Sequence, residues 1–435
     1  MPPDLTAVKK DSMLFSPICF FWTNRISFPE SNALPGPMAL AIASWGHDNA
    51  LLMRLVFTGD ISFSGFFANG YKGEGCVSPP VRGFLASADW VVANVECPLT
   101  KRGVESARPL NHSSDPEAGR YLRGLNASIW NLANNHIMDC GPEGLSDTLR
   151  CAEENGCKTL GAGRNLAETV RPVIVGDSVK VGLLSCAKPW RHVKAGAETP
   201  GALTCDRVDV LKKALSDLRG RVDWIVLVVH AEDEFNNMPM PYTRKRYLKM
   251  LSWGADIIVA HHPHVVQNHE RIGGKTIFYS LGNFIFDTEN QRDFEHTDTG
   301  VLLALDFEKG KYSFSGFATR IDREKNRVEP GVLPPVFCDV GSRDYRLLWP
   351  LEARRFLPVE RKRRLKQSPV LARMSRARLF WHGVKSLRKE KERTLQLGRL
   401  LAWTGQWKKS GLQAVAGYVN PAGAPPPQNG PSRTV

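Results

Sequence analysis

The chain reads as an α/β protein, and three observations carry that assignment. Hydrophobic strands alternate with amphipathic helices from Met53 to Leu305. Four of those strands end in residues with metal-ligating chemistry: Asp60, Asn94 with Glu96, Asn135 with His136, and His230. A fifth apolar run, Ile257-Ile258-Val259, leads straight into His261, His262 and His264. Open α/β folds place their sites at the carboxyl edge of the sheet, where such strand ends collect.

Residues 1–52 show little periodicity. The apolar run Met13–Trp22 is too short to span a membrane, contains Pro17 and lacks a small-residue cleavage pattern. A strand-like M-R-L-V-F-T-G-D begins at Met53, so 1–52 is expected to be a disordered extension or sequence ahead of a mis-assigned start. Leu55-Val56-Phe57 forms the first strand, a helix precedes Ala88, and Trp90–Ala93 forms the next strand. Tyr121–Leu125 reads as helical and Ala127–Leu132 as a strand. Pro142 suits a helix start, with Leu145, Leu149 and Ala152 on one face and Gly156 as the stop. Asp206 is the expected N-cap of a helix carrying Val208, Leu211, Leu215 and Leu218. Trp224–Val229 is the strongest strand, and a helix over Tyr242–Trp253 precedes the histidine cluster. Strands Thr276–Leu281 and Gly300–Leu305 follow.

At 435 residues the chain can bury a large core. Its net charge of +14 is unevenly spread. From Arg343 onward lie 21 of the 58 Lys and Arg but only 5 of the 44 Asp and Glu, so the rest is near neutral. A globally basic nucleic-acid enzyme is disfavoured, and a basic appendage is the better description. The nine cysteines form no C-x-x-C pair, which argues against a disulfide framework or thiolate zinc site and fits a reducing cytoplasm. Asn111 and Asn126 head N-x-S sequons, and nothing upstream suggests export.

Taken singly, the strand-end residues have ordinary readings: Asp60 after a glycine suits a turn, and Asn135 suits a helix cap. Taken together, a carboxylate, an amide and several imidazoles on one sheet edge match a divalent metal site. A core does not gather such groups without partners, because burying them unpaired costs free energy. His262 and His264 flank Pro263, which stiffens the turn that would present two neutral ring nitrogens.

The motifs F-T-G-D, N-V-E, N-L-A-N-N-H, A-H-H-P-H-V-V-Q and Y-S-L-G-N-F-I-F-D occur in this order. Over about residues 53–305 the chain thereby resembles the CapA family of poly-γ-glutamate capsule synthesis proteins, relatives of the calcineurin-like metallophosphoesterases. The resemblance implies a four-layer α/β/β/α sandwich with a dinuclear centre of two divalent ions, Mn, Fe or Zn. By position, Asp60 and His264 would hold one ion and Asn135, His230 and His262 the other, with Glu96 bridging. His136 would be the acid that protonates a leaving oxygen, and Asn283 would help position substrate. Three departures stand out: Ser62 where metallophosphoesterases commonly carry a histidine ligand, Ala231-Glu232-Asp233-Glu234 where the family reads Trp-Gly before an acid, and Ala260 for a frequent glycine.

The domain is thus expected over 53–342, followed by a basic, partly helical tail over 343–435 that ends in a proline-rich stretch. In the tail, Leu371, Phe380, Trp381, Leu395, Trp403 and Trp407 interleave with Arg and Lys at helical spacing. Such a pattern packs on the main domain or docks on an anionic membrane surface, with nucleic acid the third choice. The expected function is metal-dependent phosphoester hydrolysis on a phosphorylated or polymer-related substrate in capsule or poly-γ-glutamate metabolism. The alternative is a metal-binding, non-hydrolytic component of a synthesis or export assembly. The expected location is cytoplasmic, with peripheral membrane contact through the tail as a variant.

Overall fold

The structure is a computed structural model that describes residues 53–104 and 110–367. The expectations for 1–52 and for the tail beyond 367 lie outside the described residues. In chain order the first elements are β1 (Met53–Gly65), α1 (Pro79–Ala86), β2 (Trp90–Val95), α2 (Glu117–Gly124), β3 (Ala127–Asn131), α3 (Gly141–Glu154) and β4 (Lys158–Leu160). There follow β5 (Ala162–Gly163), α4 (Leu166–Thr169), β6 (Val173–Val175), β7 (Val181–Ala187), β8 (Gly201–Ala202), α5 (Val208–Arg219), β9 (Trp224–His230), α6 (Pro241–Ser252) and β10 (Ile257–His261). The rest are β11 (His269–Ile272), β12 (Lys275–Phe278), β13 (Asn283–Asp287), α7 (Glu289–Arg292), β14 (Thr299–Glu308), β15 (Lys311–Asp322), β16 (Arg327–Pro330) and α8 (Ser342–Gln367).

Two sheets face each other. One runs β16-β15-β14-β1-β2-β3-β4 with β13 also paired to β1, and the other runs β11-β12-β10-β9-β7-β6. Successive strand residues point to opposite faces, so each strand feeds two layers. Leu55, Phe57, Val92 and Ile129 of the first sheet meet Val181, Val226, Val228 and Val259 of the second. On the outside, Val56, Val91 and Trp130 pack under Val81, Leu85, Leu122 and Leu145 of α1, α2 and α3. Leu184, Ile225 and Ile258 pack under Leu211, Leu215, Tyr247 and Met250 of α5 and α6. This is the four-layer α/β/β/α sandwich that the resemblance implied. Each fully buried aliphatic side chain contributes about 1.5–3 kcal/mol.

The sequence expectations hold for most strands and differ in two instructive places. β1 does not end before Asp60 but runs on to Gly65, because its second half gains β13 as a parallel neighbour. That pairing depends on two glycines. A Cβ on Gly59 would lie 2.4 Å from the Gly282 carbonyl oxygen, and Gly282 itself sits at φ +68°. Only glycine permits this approach, which lets the Asp60 amide donate to Gly282 O at 2.9 Å. Asp206 does not cap α5: its carboxylate accepts from Thr204 and Lys194, and the capping position falls to Arg207 without a side-chain bond.

Beyond residue 342 the packing continues. Tyr345, Trp349, Ala353 and Phe356 of α8 are buried, and the first three cluster with Met238 and Val340. Among the described residues no helix is long and apolar enough to cross a membrane.

Candidate metal centre

Strand register builds the site. Across the first sheet Asn131 pairs with Asn94, Asn94 with Asp60, and Asp60 with Asn283. Across the second, Ala187 pairs with His230 and His230 with His261. The polar rows of both sheets therefore end at the same level. After β10 the chain turns through His262 at φ +98° and His264 at φ +58° on either side of Pro263. Left-handed backbone at residues with a Cβ is strained and persists only where surroundings hold it. Here Ala231 and Phe235 donate backbone bonds to His261 O at 3.1 Å and Pro263 O at 2.8 Å.

Two sets of side chains could each hold a metal ion: Asp60, Glu96 and His264, and Glu96, His230 and His262. Within each set the donor atoms lie within 4.8 Å of one another, and Glu96 belongs to both. Glu96 Oε1 is 3.2 Å from His230 Nε2 and 3.8 Å from His264 Nε2. Asp60 Oδ2 is 3.0 Å from His264 Nδ1, and Asn135 Oδ1 is 2.9 Å from His230 Nε2. All six sequence-predicted ligands thus converge, and His261, Nδ1 at 3.4 Å from Asp60, joins them.

A test of fit comes from the buried atoms. Asp60 and Glu96 are wholly buried; Asp60 Oδ2 has its ion-pair contact with His264, but both carboxylate oxygens of Glu96 have no hydrogen-bond partner. His261 Nδ1 and His262 Nδ1 are in the same condition. Orphaned buried carboxylates cost free energy that a cation would offset, and the oxygen and nitrogen donors suit a divalent ion. Burial pushes the Glu96 carboxyl well above its usual range. Burial also lowers His230 to about 3 and His262 well below its ordinary value, so both rings are neutral donors at neutral pH. His264 differs: burial acts against its charge, but Glu96 and Asp60 outweigh it and raise the ring to about 10.

A chain of buried polar groups supports the floor. Asn94 donates to Asp60 Oδ1 at 2.7 Å, Asn131 donates to Asn94 Oδ1 at 2.6 Å, and Ser185 donates to Asn131. Asn283 lies at the centre as expected, and its side chain is engaged by the protein. Its amide hydrogens go to Gln291 Oε1 at 3.0 Å and Thr297 O at 2.8 Å, and its oxygen faces His264 Nδ1 at 3.0 Å. It orients His264.

His136 is paired through Nδ1 with Asp139 Oδ2 at 2.7 Å. Asp139 also accepts the His112 backbone amide at 2.8 Å, and the His112 ring stands edge-on to His136 at 4.2 Å. Sequence reasoning missed both residues. Asp139, three positions after His136, could have been found by spacing; His112 could not. Ser62 hydrogen-bonds Ser64 at 2.9 Å, and Ser64 bonds His112 Nδ1 at 2.8 Å. On the opposite side Trp190 stands edge-on to His262 at 5.0 Å, and Glu234 Oε1 is 3.9 Å from His262 Nε2. Nearby Cys97 is no competing nucleophile, because burial pushes its thiol up to about 11.

Fold and site together define an α/β/β/α sandwich whose facing sheet edges converge on a buried cluster suited to divalent metal. The family model of the bacterial capsule synthesis protein PGA_cap matches residues 54–288, more than half the chain, and the chain belongs to that family. It is 31% identical over 238 residues to the PGA biosynthesis protein CapA of Bacillus subtilis (strain 168), covering 53% of this chain and 62% of that protein. It is 32% identical over 259 residues to the capsule biosynthesis protein CapA of Bacillus anthracis, covering 57% and 63%. The match thus spans under two thirds of either relative. A 5'-nucleotidase precursor from Thermus thermophilus superposes at TM-score 0.37 and 17% identity over 62% of this chain and 54% of its own, too loosely to extend the assignment.

Proposed function

We propose that this chain is a dinuclear-metal-dependent phosphoester hydrolase serving capsule or poly-γ-glutamate-type polymer biosynthesis. The observation that carries the reading is the double use of Glu96, whose two orphaned oxygens stand between two ligand sets. Asp60, Glu96 and His264 would hold one ion, and Glu96, Asn135, His230 and His262 the other. When bound, two such ions would supply Lewis-acid stabilisation of a phosphoryl group and lower the pKa of water. The polypeptide supplies the rest. His136 would give its proton to the leaving oxygen, and Asp139 orients the ring and stabilises its charged form. Asn283 and Asn94 hold His264 and Asp60 in place. The basic segment from Arg343 would contact an anionic membrane surface or the synthesis assembly, and nucleic acid is not an expected partner.

One observation favours a second reading, a non-hydrolytic metal-binding component of that assembly. Residue 62 is a serine, hydrogen-bonded to Ser64, so the Asp60 set lacks the further imidazole that metallophosphoesterases commonly place there. A panel of phosphomonoesters and diesters assayed with Mn2+ separates the two. The hydrolase reading expects metal-dependent turnover that His136→Ala lowers roughly 10²–10⁴-fold while metal is retained. Metal-loaded wild type without turnover on any ester would hand the lead to the second reading.

A further inference from the structure

The loop 231–240 bounds the centre on the side of His262 and His264. It brings Glu234 to 3.9 Å from His262 Nε2, and it sets the Phe235 ring 6.2 Å from that of His264 and flat against Phe294 at 3.9 Å. It is not a relaxed segment: Glu232 lies at φ +121° and Phe235 at φ +62°, conformations a side chain resists. Its inner edge is tied to the site by Phe235 N to Pro263 O at 2.8 Å and by Gln267 Nε2 to Asn236 O at 2.6 Å.

Its outer edge is tied by α8, more than a hundred residues further along. Tyr345 donates its hydroxyl to Pro239 O at 2.7 Å. Glu352 Oε1 accepts the Asn237 amide at 3.0 Å. Arg355 holds the Glu352 carboxylate at 2.7 Å and reaches Phe235 O at 3.4 Å. Met238 of the loop is buried with Tyr345, Trp349 and Ala353. The helix therefore grips backbone atoms at three successive points of a strained loop.

We infer that α8 is a positioning element of the metal centre: Tyr345, Glu352 and Arg355 fix the loop that carries Glu234 and Phe235, and so set the affinity and coordination of the bound ion. The inference rests on the metal reading above. Its physical basis is that ordering a loop costs backbone entropy, which the contacts from α8 offset. Freed from α8, the loop no longer holds Glu234 and Phe235 against the two imidazoles. None of the three α8 residues touches a candidate ligand, so each acts through the loop.

The test uses the full chain and Co2+, whose visible absorption reports coordination. The double variant Tyr345→Phe/Glu352→Ala removes two grips and leaves the buried apolar face intact. Circular dichroism and thermal melting confirm that it is folded. The expected result is a Co2+ Kd raised roughly 10–100-fold, the usual effect of outer-shell residues, together with a changed spectrum. Glu352→Gln, which keeps an acceptor for Asn237, restores most of the affinity in the Tyr345 wild-type background. A folded double variant with wild-type Kd and spectrum overturns this inference alone. Absence of Co2+ binding by the wild type overturns the metal reading, and this inference with it.

Discussion

His230 and His264 face the same Glu96 oxygen from 3.2 and 3.8 Å, yet they belong to differently built halves of the candidate centre. The His264 half is knitted together internally. Asp60 receives the Asn94 amide, His264 meets Asn283, and the two facing carboxylates raise the ring, whose proton a bound cation would displace. The His230 half consists of neutral imidazoles and the Asn135 amide, bordered by Trp190 and by the loop that α8 grips. Asp60 and Asn283 tie the first half to the strands of the sandwich, Trp190 borders the second, and the loop that α8 grips reaches both, through Phe235 at His264 and Glu234 at His262. Only Glu96 is common to both, so the two halves stand or fall on one side chain.

That contrast orders the expected effects. Glu96→Gln removes the shared charge, and metal content should drop from about two ions per chain to nearly none, measured by elemental analysis of purified protein. His262→Ala should act on one half, abolishing dinuclear binding and leaving about one ion; two ions retained in this variant would show that His262 is no ligand.

A smaller effect is expected well away from the centre. His269 is buried against Phe278, Phe314 and Phe337, with Nδ1 unbonded, and burial lowers its ring to about 4. The unfolded ring takes its proton near pH 6.5. Between those values the unfolded chain binds more protons, so stability contributed by the neutral ring is complete above about 6.5 and is lost as pH falls toward about 4. His269→Leu should flatten the decline of the melting temperature across that window. An unchanged pH profile would show that the ring does not titrate as described.

Much of the site was legible because its signals are local. Each candidate ligand follows a hydrophobic run, so Asp60, Glu96, Asn135, His230, His262 and His264 could be placed at one edge from strand ends alone. What was hidden depends on tertiary pairing. Phe284-Ile285-Phe286 is too short to be identified as a strand by period, and only β1 makes β13 one. The Asn94–Asn131–Ser185 chain joins residues of three strands through register. The engagement of the Asn283 amide by Gln291 and Thr297 likewise depends on chain brought in from outside its own strand. The grip of α8 spans 106 to 120 residues of sequence and leaves no periodic trace. Asp206 shows the same limit on a small scale, since a good capping residue was diverted by Lys194.

The most direct test of the central claim is the divalent metal content of wild-type protein purified without chelator, set beside Glu96→Gln. The account predicts about two ions per chain in the wild type and a near-complete loss in a variant that remains folded. A folded wild type that carries no divalent metal and takes up none on dialysis against Mn2+, Fe2+ or Zn2+ would contradict it. The histidine cluster would then be a structural feature of the sheet edge.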